Sequence, residues 1–141
     1  MAQNTEGNIY LSIESANNSY DSRTKEFKRL YQSGRKTFII ELTNEEKTSI
    51  YGELEKSNFP ILPSTYEAKG DEQIHTEPNF RYRLVSNFGG KHKEIFYSNE
   101  VTDSQVLKDV APFMKLYRAV WEIIYSNEEV KGLQESNVFY E

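Results

Sequence analysis

The chain has 141 residues, a formal net charge of −5 and no cysteine. A chain of this length is typical of one domain and buries enough surface for a hydrophobic core without disulfides. The lack of thiols excludes a disulfide framework, a thiolate nucleophile and a cysteine-ligated metal centre. Only 37% of the residues are hydrophobic, but eight Phe, ten Tyr and one Trp offer large side chains for burial, which argues against an intrinsically disordered chain.

The first predicted element is a strand in the segment "NIYLSIES", where Ile9, Leu11 and Ile13 fall on one side. A period of two residues indicates a strand with one buried face. The polar stretch "ANNSYDSRT", residues 16–24, is predicted to be a loop. Residues 1–7 carry no structural pattern, and we expect them to be disordered or to be an addition to the natural chain.

Two short strands, 26–32 and 36–42, are predicted to form a hairpin around the turn Gln32-Ser33-Gly34-Arg35. Gly34 is the residue in this turn that adopts a positive φ angle without strain. For the first strand a helical turn is the alternative, because Phe27, Leu30 and Tyr31 would also suit one.

A helix is predicted over residues 44–57, because Thr43 and Glu46 have the spacing of a capping box at its start. Its apolar stripe is thin, so the helix depends on packing against a sheet. Three of the four prolines lie in residues 60–78. They end the helix, and this segment is predicted to be an irregular connection.

The stretch "FRYRLVSNFGGKHKEIFYS", residues 80–98, is predicted to be a second hairpin. Tyr82 and Leu84 alternate with charged neighbours, and the Gly89-Gly90 pair permits a tight reversal. A phosphate-binding loop would need its glycines to open a helix, whereas "KHKEIFYS" has the pattern of a strand.

A second helix is predicted to begin after Thr102 or Asp103, with Pro112 in the first turn of a fresh helical segment. Apolar residues then recur at intervals of three and four, as expected for a helix face in the core: Phe113, Leu116, Tyr117, Val120, Trp121, Ile123 and Ile124. Residues 137–140 are a candidate last strand. The order of elements predicts a single α+β domain over residues 1–141, with an antiparallel sheet of about five to six strands packed on two α-helices.

The sequence contains no recognisable catalytic, cofactor-binding or metal-binding motif. His92 has no second ligand three or four residues away, and no glycine-flanked serine elbow is present. His75 has Asp71 and Glu72 at that spacing, but they lie in the irregular connection. We therefore expect no catalytic residue, no metal and no cofactor, although a pair of carboxylates for acid–base catalysis leaves no local signature.

Charge is distributed unevenly along the chain. Residues 21–36 carry a net charge of +4 and residues 79–97 a net charge of +3, which leaves −12 for the remainder. If these segments are neighbouring strands, one sheet face is basic and aromatic while the helical side is acidic. The candidate residues of a face for an anionic or protein partner are Arg81, Arg83, Lys91, His92 and Lys93.

Two interpretations of this basic face remain open. The first is a binding surface for an anionic partner, including single-stranded nucleic acid stacked on aromatic rings. The second is pairing across strands, among residues such as Arg83, Glu94 and Glu26, on a solvated face. The second interpretation is favoured, and we expect no specific binding of nucleic acid.

The segments "IELTNEEKTSIYGELEKSNFPILP" and "VWEIIYSNEEVKGLQES", with the Gly-Gly hairpin between them, resemble small exported or lipoprotein-type bacterial domains of unknown function. The resemblance spans most of residues 37–136. It implies an α+β fold and a periplasmic or envelope location, provided that a signal peptide has been removed; otherwise the expected location is cytoplasmic. It implies no activity and no catalytic residue.

These observations favour a non-enzymatic binding or interaction domain of a bacterial envelope protein, with a protein as the expected partner. The alternative is a small acidic immunity-type or inhibitor protein that binds a basic partner. An enzyme with a carboxylate-based site is the third hypothesis. The longest apolar runs are far shorter than the roughly 20 residues of a membrane-spanning helix, so we expect no transmembrane segment.

Overall fold

Strands with alternating apolar residues form one layer of the molecule, and a long amphipathic helix forms most of the second layer. The computed structural model describes residues 10–66, 74–75, 80–88 and 91–136. Its elements, in chain order, are β1 (Leu11–Glu14), β2 (Asn18–Asp21), β3 (Glu26–Tyr31), β4 (Gly34–Ile39), α1 (Asn44–Lys56), a 3₁₀ turn (Phe59–Ile61), β5 (Ile74–His75), β6 (Arg81–Phe88), β7 (Lys91–Ser98), β8 (Val101–Thr102), α2 (Ser104–Ser126) and α3 (Glu128–Lys131).

Six of the strands form one antiparallel sheet in the order β4-β3-β2-β1-β6-β7. The predicted α+β class, with an antiparallel sheet packed on two main helices, is confirmed. β5 and β8 pair separately as a small two-stranded sheet.

The hydrophobic core lies between one face of the sheet and the helices. We call this sheet face the inner face, and the residues that it contributes to the hydrophobic core are Leu11, Ile13, Tyr20, Phe27, Leu84, Ile95 and Tyr97. Helix α2 contributes the predicted stripe, of which Phe113, Leu116, Tyr117, Val120, Trp121 and Ile124 are buried. The opposite face of the sheet is the outer face, and it carries most of the charged strand residues.

The predicted cap of α1 is confirmed. The Oγ1 of Thr43 accepts a hydrogen bond from the backbone N–H of Glu46, and the carboxylate of Glu46 accepts one from the backbone N–H of Thr43. These bonds satisfy two donors that the first helical turn leaves without partners. The chain leaves the helix through Asn58, which has a φ of 55°.

Helix α2 differs from the prediction at Pro112. Asp103 caps the helix, as expected, by accepting a hydrogen bond from the N–H of Val106 at 2.8 Å. Pro112, however, lies inside one continuous helix and does not begin a new segment. Its ring removes the bond to the carbonyl of Lys108, but both residues are exposed, so water can reach that carbonyl. Burial of Val110 and Phe113 on either side holds the helix together.

The predicted loop at residues 16–24 is wrong, because it contains strand β2. Tyr20 is the one large apolar side chain in β2, too few for a visible alternation. It is buried, and its hydroxyl donates to the carbonyl of Ile40 at 2.8 Å. The two neighbouring strands β1 and β3 supply the ladder that makes this polar segment a strand.

The hairpin of β3 and β4 is confirmed, with strands shorter than the predicted 26–32 and 36–42. The segment 60–78, predicted to be an irregular connection, contains the end of the 3₁₀ turn and strand β5. Several expectations concern residues outside the described part: residues 1–7, Ile9, the turn at Gly89-Gly90 and the strand at 137–140.

The first prediction tests the core. Ile124 is completely buried in the core cluster, so Ile124→Ala should lower the free energy of unfolding by about 2–5 kcal/mol. The matched control is Ile39→Ala, at a side chain that is 64% exposed, where we expect a change within about 0.5 kcal/mol. Urea unfolding measures both, and equal losses would contradict the assigned core.

The second prediction uses two glycines with opposite requirements. Gly34 has a φ of 121°, so Gly34→Ala should destabilise the protein by about 1–3 kcal/mol through backbone strain. Gly52 lies within α1, and an added Cβ would meet no atom within 4 Å. Gly52→Ala should therefore stabilise the protein by about 0.5–1 kcal/mol. Thermal unfolding of both variants checks the signs; a stabilising Gly34→Ala would refute the turn geometry.

Candidate functional site

The structure separates the five residues predicted from the β6–β7 hairpin. Arg81, Arg83 and His92 lie on the outer face, because each is in register with outer-face neighbours. Lys93 lies on the inner face opposite the buried Ser86. Lys91 pairs with Phe88 in the hairpin, and its side chain is outside the described part of the molecule.

Lys93 has a structural role. Its Nζ donates to the carbonyl of Pro60 at 2.9 Å and to the carbonyl of Leu62. Both carbonyls belong to the segment that follows α1. Lys93 thereby attaches this segment to β7.

His92 belongs to a stack of side chains at one end of the outer face. Its ring lies parallel to that of Tyr10, with the ring centroids 6.3 Å apart. The guanidinium carbon of Arg23 lies 4.2 Å from the centroid of the Tyr10 ring. The Nδ1 of His92 is 3.3 Å from the Oδ1 of Asn87. His92 therefore contacts side chains at this end of the face and does not lie beside Arg81.

A groove of about 480 Å³ lies at the other end of the outer face. We call it the outer groove, and the residues that line it are Glu14, Ser15, Ser19, Lys28, Arg35, Arg81, Arg83 and Phe96. Antiparallel register creates it, because directly paired residues project from the same face of a sheet. Lys28 pairs with Ser19, Ser19 with Glu14, Glu14 with Arg83, and Arg83 with Phe96.

The two basic segments of the sequence meet in this groove although they are not neighbouring strands. β1 lies between β2 and β6, and it contributes the groove's carboxylate, Glu14. Lys28 and Arg35 come from the first segment, and Arg81 and Arg83 from the second. Both segments are recognisable in the sequence, but Lys28 and Arg35 are not among the predicted site residues, because their approach to Arg81 depends on the strand order.

Arg83 is held by two carboxylates. Its Nε donates to Glu94 at 2.5 Å, and its Nη1 is 3.5 Å from Glu14. Burial acts to lower the pKa of the Arg83 guanidinium, but the hydrogen bond and charge of Glu94, together with Glu14, outweigh burial and raise that pKa. The predicted pairing of Arg83 with Glu94 across strands is present, whereas Glu26 pairs in register with Asp21 and Ile39.

The other three cations of the groove differ from Arg83. In the described part of the chain, no carboxylate lies within 4 Å of the charged atoms of Lys28, Arg35 or Arg81. Phe96 lines the same groove, and 36% of its surface is exposed. The outer groove therefore presents positive charge next to an apolar ring.

A second concave site lies at the edge of the inner face, beside α3. We call it the Arg29 pocket; it has a volume of about 420 Å³ and is lined by Asn18, Arg29, Tyr125, Val130, Lys131, Leu133, Glu135 and Ser136. Arg29 was not selected from the sequence, although a signal exists. Phe27, Arg29 and Tyr31 alternate in β3, so a strand that buries both aromatic residues also turns Arg29 inward.

The described residues offer no metal centre, since they contain no group of three or more His, Asp or Glu side chains that could hold an ion. None of the helices in that part of the chain is long and apolar enough to span a membrane. Comparison of the chain with protein-family models, with curated proteins and with solved structures found no significant match.

The third prediction concerns Tyr125 in the Arg29 pocket. Burial raises the pKa of its hydroxyl, while the hydrogen bond from Asn18 and the positive charge of Arg29 lower it in part. Replacing Arg29 with Gln removes this charge, so the pKa of Tyr125 should rise further. The ¹³Cζ resonance of Tyr125, followed through an alkaline titration, measures the change.

Lys131→Gln is the control for this titration, since it removes another cation from the same pocket and should shift the pKa of Tyr125 less. A Tyr125 pKa that stays constant or falls in Arg29→Gln would contradict the placement of Arg29 beside this hydroxyl.

Proposed function

We propose that this protein is a non-enzymatic binding domain whose outer groove receives an acidic, extended segment of a partner protein. The observation that carries the proposal is the cluster of Lys28, Arg35 and Arg81, which have no carboxylate within 4 Å in the described part of the chain. Like charges held near one another on a sheet face are unfavourable. An acidic ligand relieves this repulsion.

Charge contrast supports an acidic partner. Among the described residues, four cations and one carboxylate line the groove, on a chain with a net charge of −5. An acidic segment is repelled by most of the molecule and attracted at the groove. Such contrast favours orientation and specificity more than raw affinity.

A protein segment fits the outer groove better than nucleic acid does. Single strands bind to platforms on which successive bases stack on aromatic rings, whereas Phe96 is the one aromatic residue that lines the outer groove in the described part of the chain. A net charge of −5 also opposes a long polyanion. A short peptide with two or three acidic side chains matches the three cations and needs no row of rings.

The groove supports binding more than acid–base catalysis. Its lining carboxylate, Glu14, is ion-paired with Arg83, and so is the neighbouring Glu94. A glycosidase-type pair would need one carboxyl group to carry a proton while the other is ionised. Here both carboxylates contact the same arginine instead.

An envelope location is part of this proposal. Its support is the resemblance of residues 37–136 to exported bacterial domains, in which a strand and a capped helix precede a hairpin and a closing helix. Fractionation of cells that express the natural gene, followed by immunodetection, tests the location separately from binding. Recovery only in the cytoplasm would overturn it.

The fourth prediction tests the groove with a fluorescent peptide of about eight glutamates. At low salt we expect binding, measured by fluorescence anisotropy, that weakens as salt screens the charges. Replacing Arg35 and Arg81 with Ser should weaken it by about tenfold or more, on the order of 1.4 kcal/mol. Glu94→Gln should strengthen it, because Arg83 loses a competing carboxylate.

The matched control replaces Lys56 and Lys115, which are exposed on the helical side, with Ser. This control changes the net charge of the protein by the same amount. We expect it to reduce the binding free energy by less than half as much as the replacement of Arg35 and Arg81. An equal loss in both double variants would show a non-specific charge effect. Equal affinity for single-stranded DNA would favour nucleic acid, and preferential binding of polylysine would favour the inhibitor-type alternative.

A further inference from the structure

Arg29 is a buried cation that lines the Arg29 pocket. Its residue surface is only 8% exposed, and it lies on the core side of β3 between Phe27 and Tyr31. Its position on the inner face separates it from the outer groove. Any ligand that it binds is therefore distinct from the acidic segment proposed above.

Every described contact of the Arg29 guanidinium is with a neutral group. Its Nε donates to the Oδ1 of Asn18 at 2.7 Å, and its Nη1 donates to the carbonyl of Gln134 at 3.0 Å. Its central carbon lies 5.1 Å from the centroid of the Phe27 ring. Among the described residues, no carboxylate lies within 4 Å of this guanidinium, including Glu135 on the pocket wall.

Burial of a cation without a counter-ion is costly, and buried charges in proteins are ordinarily paired. The neutral oxygens and the Phe27 ring offset part of this cost. They also fix the guanidinium in one orientation, with two of its five N–H donors engaged. A guanidinium prepared in this way matches the planar, two-oxygen geometry of a carboxylate.

The walls of the Arg29 pocket define the rest of the ligand. Val130, Leu133 and the ring of Tyr125 offer apolar surface, and Lys131 adds a second positive charge at the wall. The Tyr125 hydroxyl accepts a hydrogen bond from the side-chain amide of Asn18 at 3.0 Å, which leaves its own proton for a ligand oxygen.

We propose that the Arg29 pocket binds a carboxylate attached to a small apolar group. The carboxylate pairs with Arg29, and the apolar group contacts Val130, Leu133 and Tyr125. Two sources share this chemistry: a free carboxylic acid and the terminal carboxylate of a peptide. Benzoate represents the first, and N-acetyl-leucine represents the second.

The test titrates the full chain with each probe and observes the Arg29 side-chain Nε–H and the ring of Tyr125 by NMR. Benzamide and N-acetyl-leucine amide are the matched neutral controls, because they keep the apolar group and remove the charge. We expect at least one of the two carboxylates to bind, with chemical-shift changes centred on Arg29. The corresponding amide should bind at least about tenfold more weakly.

The two arms distinguish the sources of the carboxylate. Tighter binding of N-acetyl-leucine assigns the pocket to peptide C termini, and tighter binding of benzoate assigns it to free acids. Binding of an amide as tight as that of its carboxylate overturns the proposal. So does the absence of shifts at Arg29 with both carboxylates.

Two variants separate this site from the outer groove. Arg29→Gln should abolish carboxylate binding, whereas Arg81→Ser, in the outer groove, should leave it unchanged. The opposite pattern assigns the probes to the outer groove and overturns the proposal. If Arg29→Gln does not fold, the comparison of acid with amide on the unmodified chain still decides the outcome.

Discussion

The packing of α2 against the inner face is the interaction on which the rest of the structure depends. Trp121 meets the edge of Phe27 from β3 with ring centroids 6.5 Å apart, and Tyr117 meets Tyr82 from β6 at 5.3 Å. One helix therefore holds strands from both halves of the sheet. Aromatic pairs in these edge-to-face arrangements add to the free energy of burial.

The same helix is linked to the backbone beneath the outer groove. The hydroxyl of Tyr117 donates to the carbonyl of Glu14 at 2.6 Å, and the side chain of Glu14 lines the groove. Burial raises the pKa of the Tyr117 hydroxyl well above its ordinary value, so the hydroxyl keeps the donated proton in alkaline solution as well as at neutral pH. The backbone position from which the side chain of Glu14 projects is thus held from the core side.

Because the helices cover only the inner face, strand register alone arranges charge on the outer face. One row across the sheet contains Glu26, Asp21 and Glu94, and the next contains Lys28, Glu14 and Arg83. Arg35 and Arg81 lie beyond that second row. The outer face therefore has a largely acidic row beside a largely basic region, which no local segment of the sequence reveals.

The predictable parts of this molecule are those in which several local signals agree. Three such parts are confirmed: the apolar period of the α2 stripe, the capping box at Thr43, and the turn at Gly34, where the backbone requires a positive φ angle. Strand β2 was missed because its stability comes from its neighbours. The outer groove was recognised only as two basic segments, since the insertion of β1 between them is a property of the topology.

The most direct test of this account asks whether the outer-groove cations serve the fold or are free to serve a partner. The measurement is the free energy of unfolding of a variant in which Lys28, Arg35 and Arg81 are all replaced by Gln. Because the described structure gives these side chains no carboxylate partner, we predict a change within about 0.5 kcal/mol for each substitution. A loss of several kcal/mol would contradict the account and assign the three cations to the stability of the sheet.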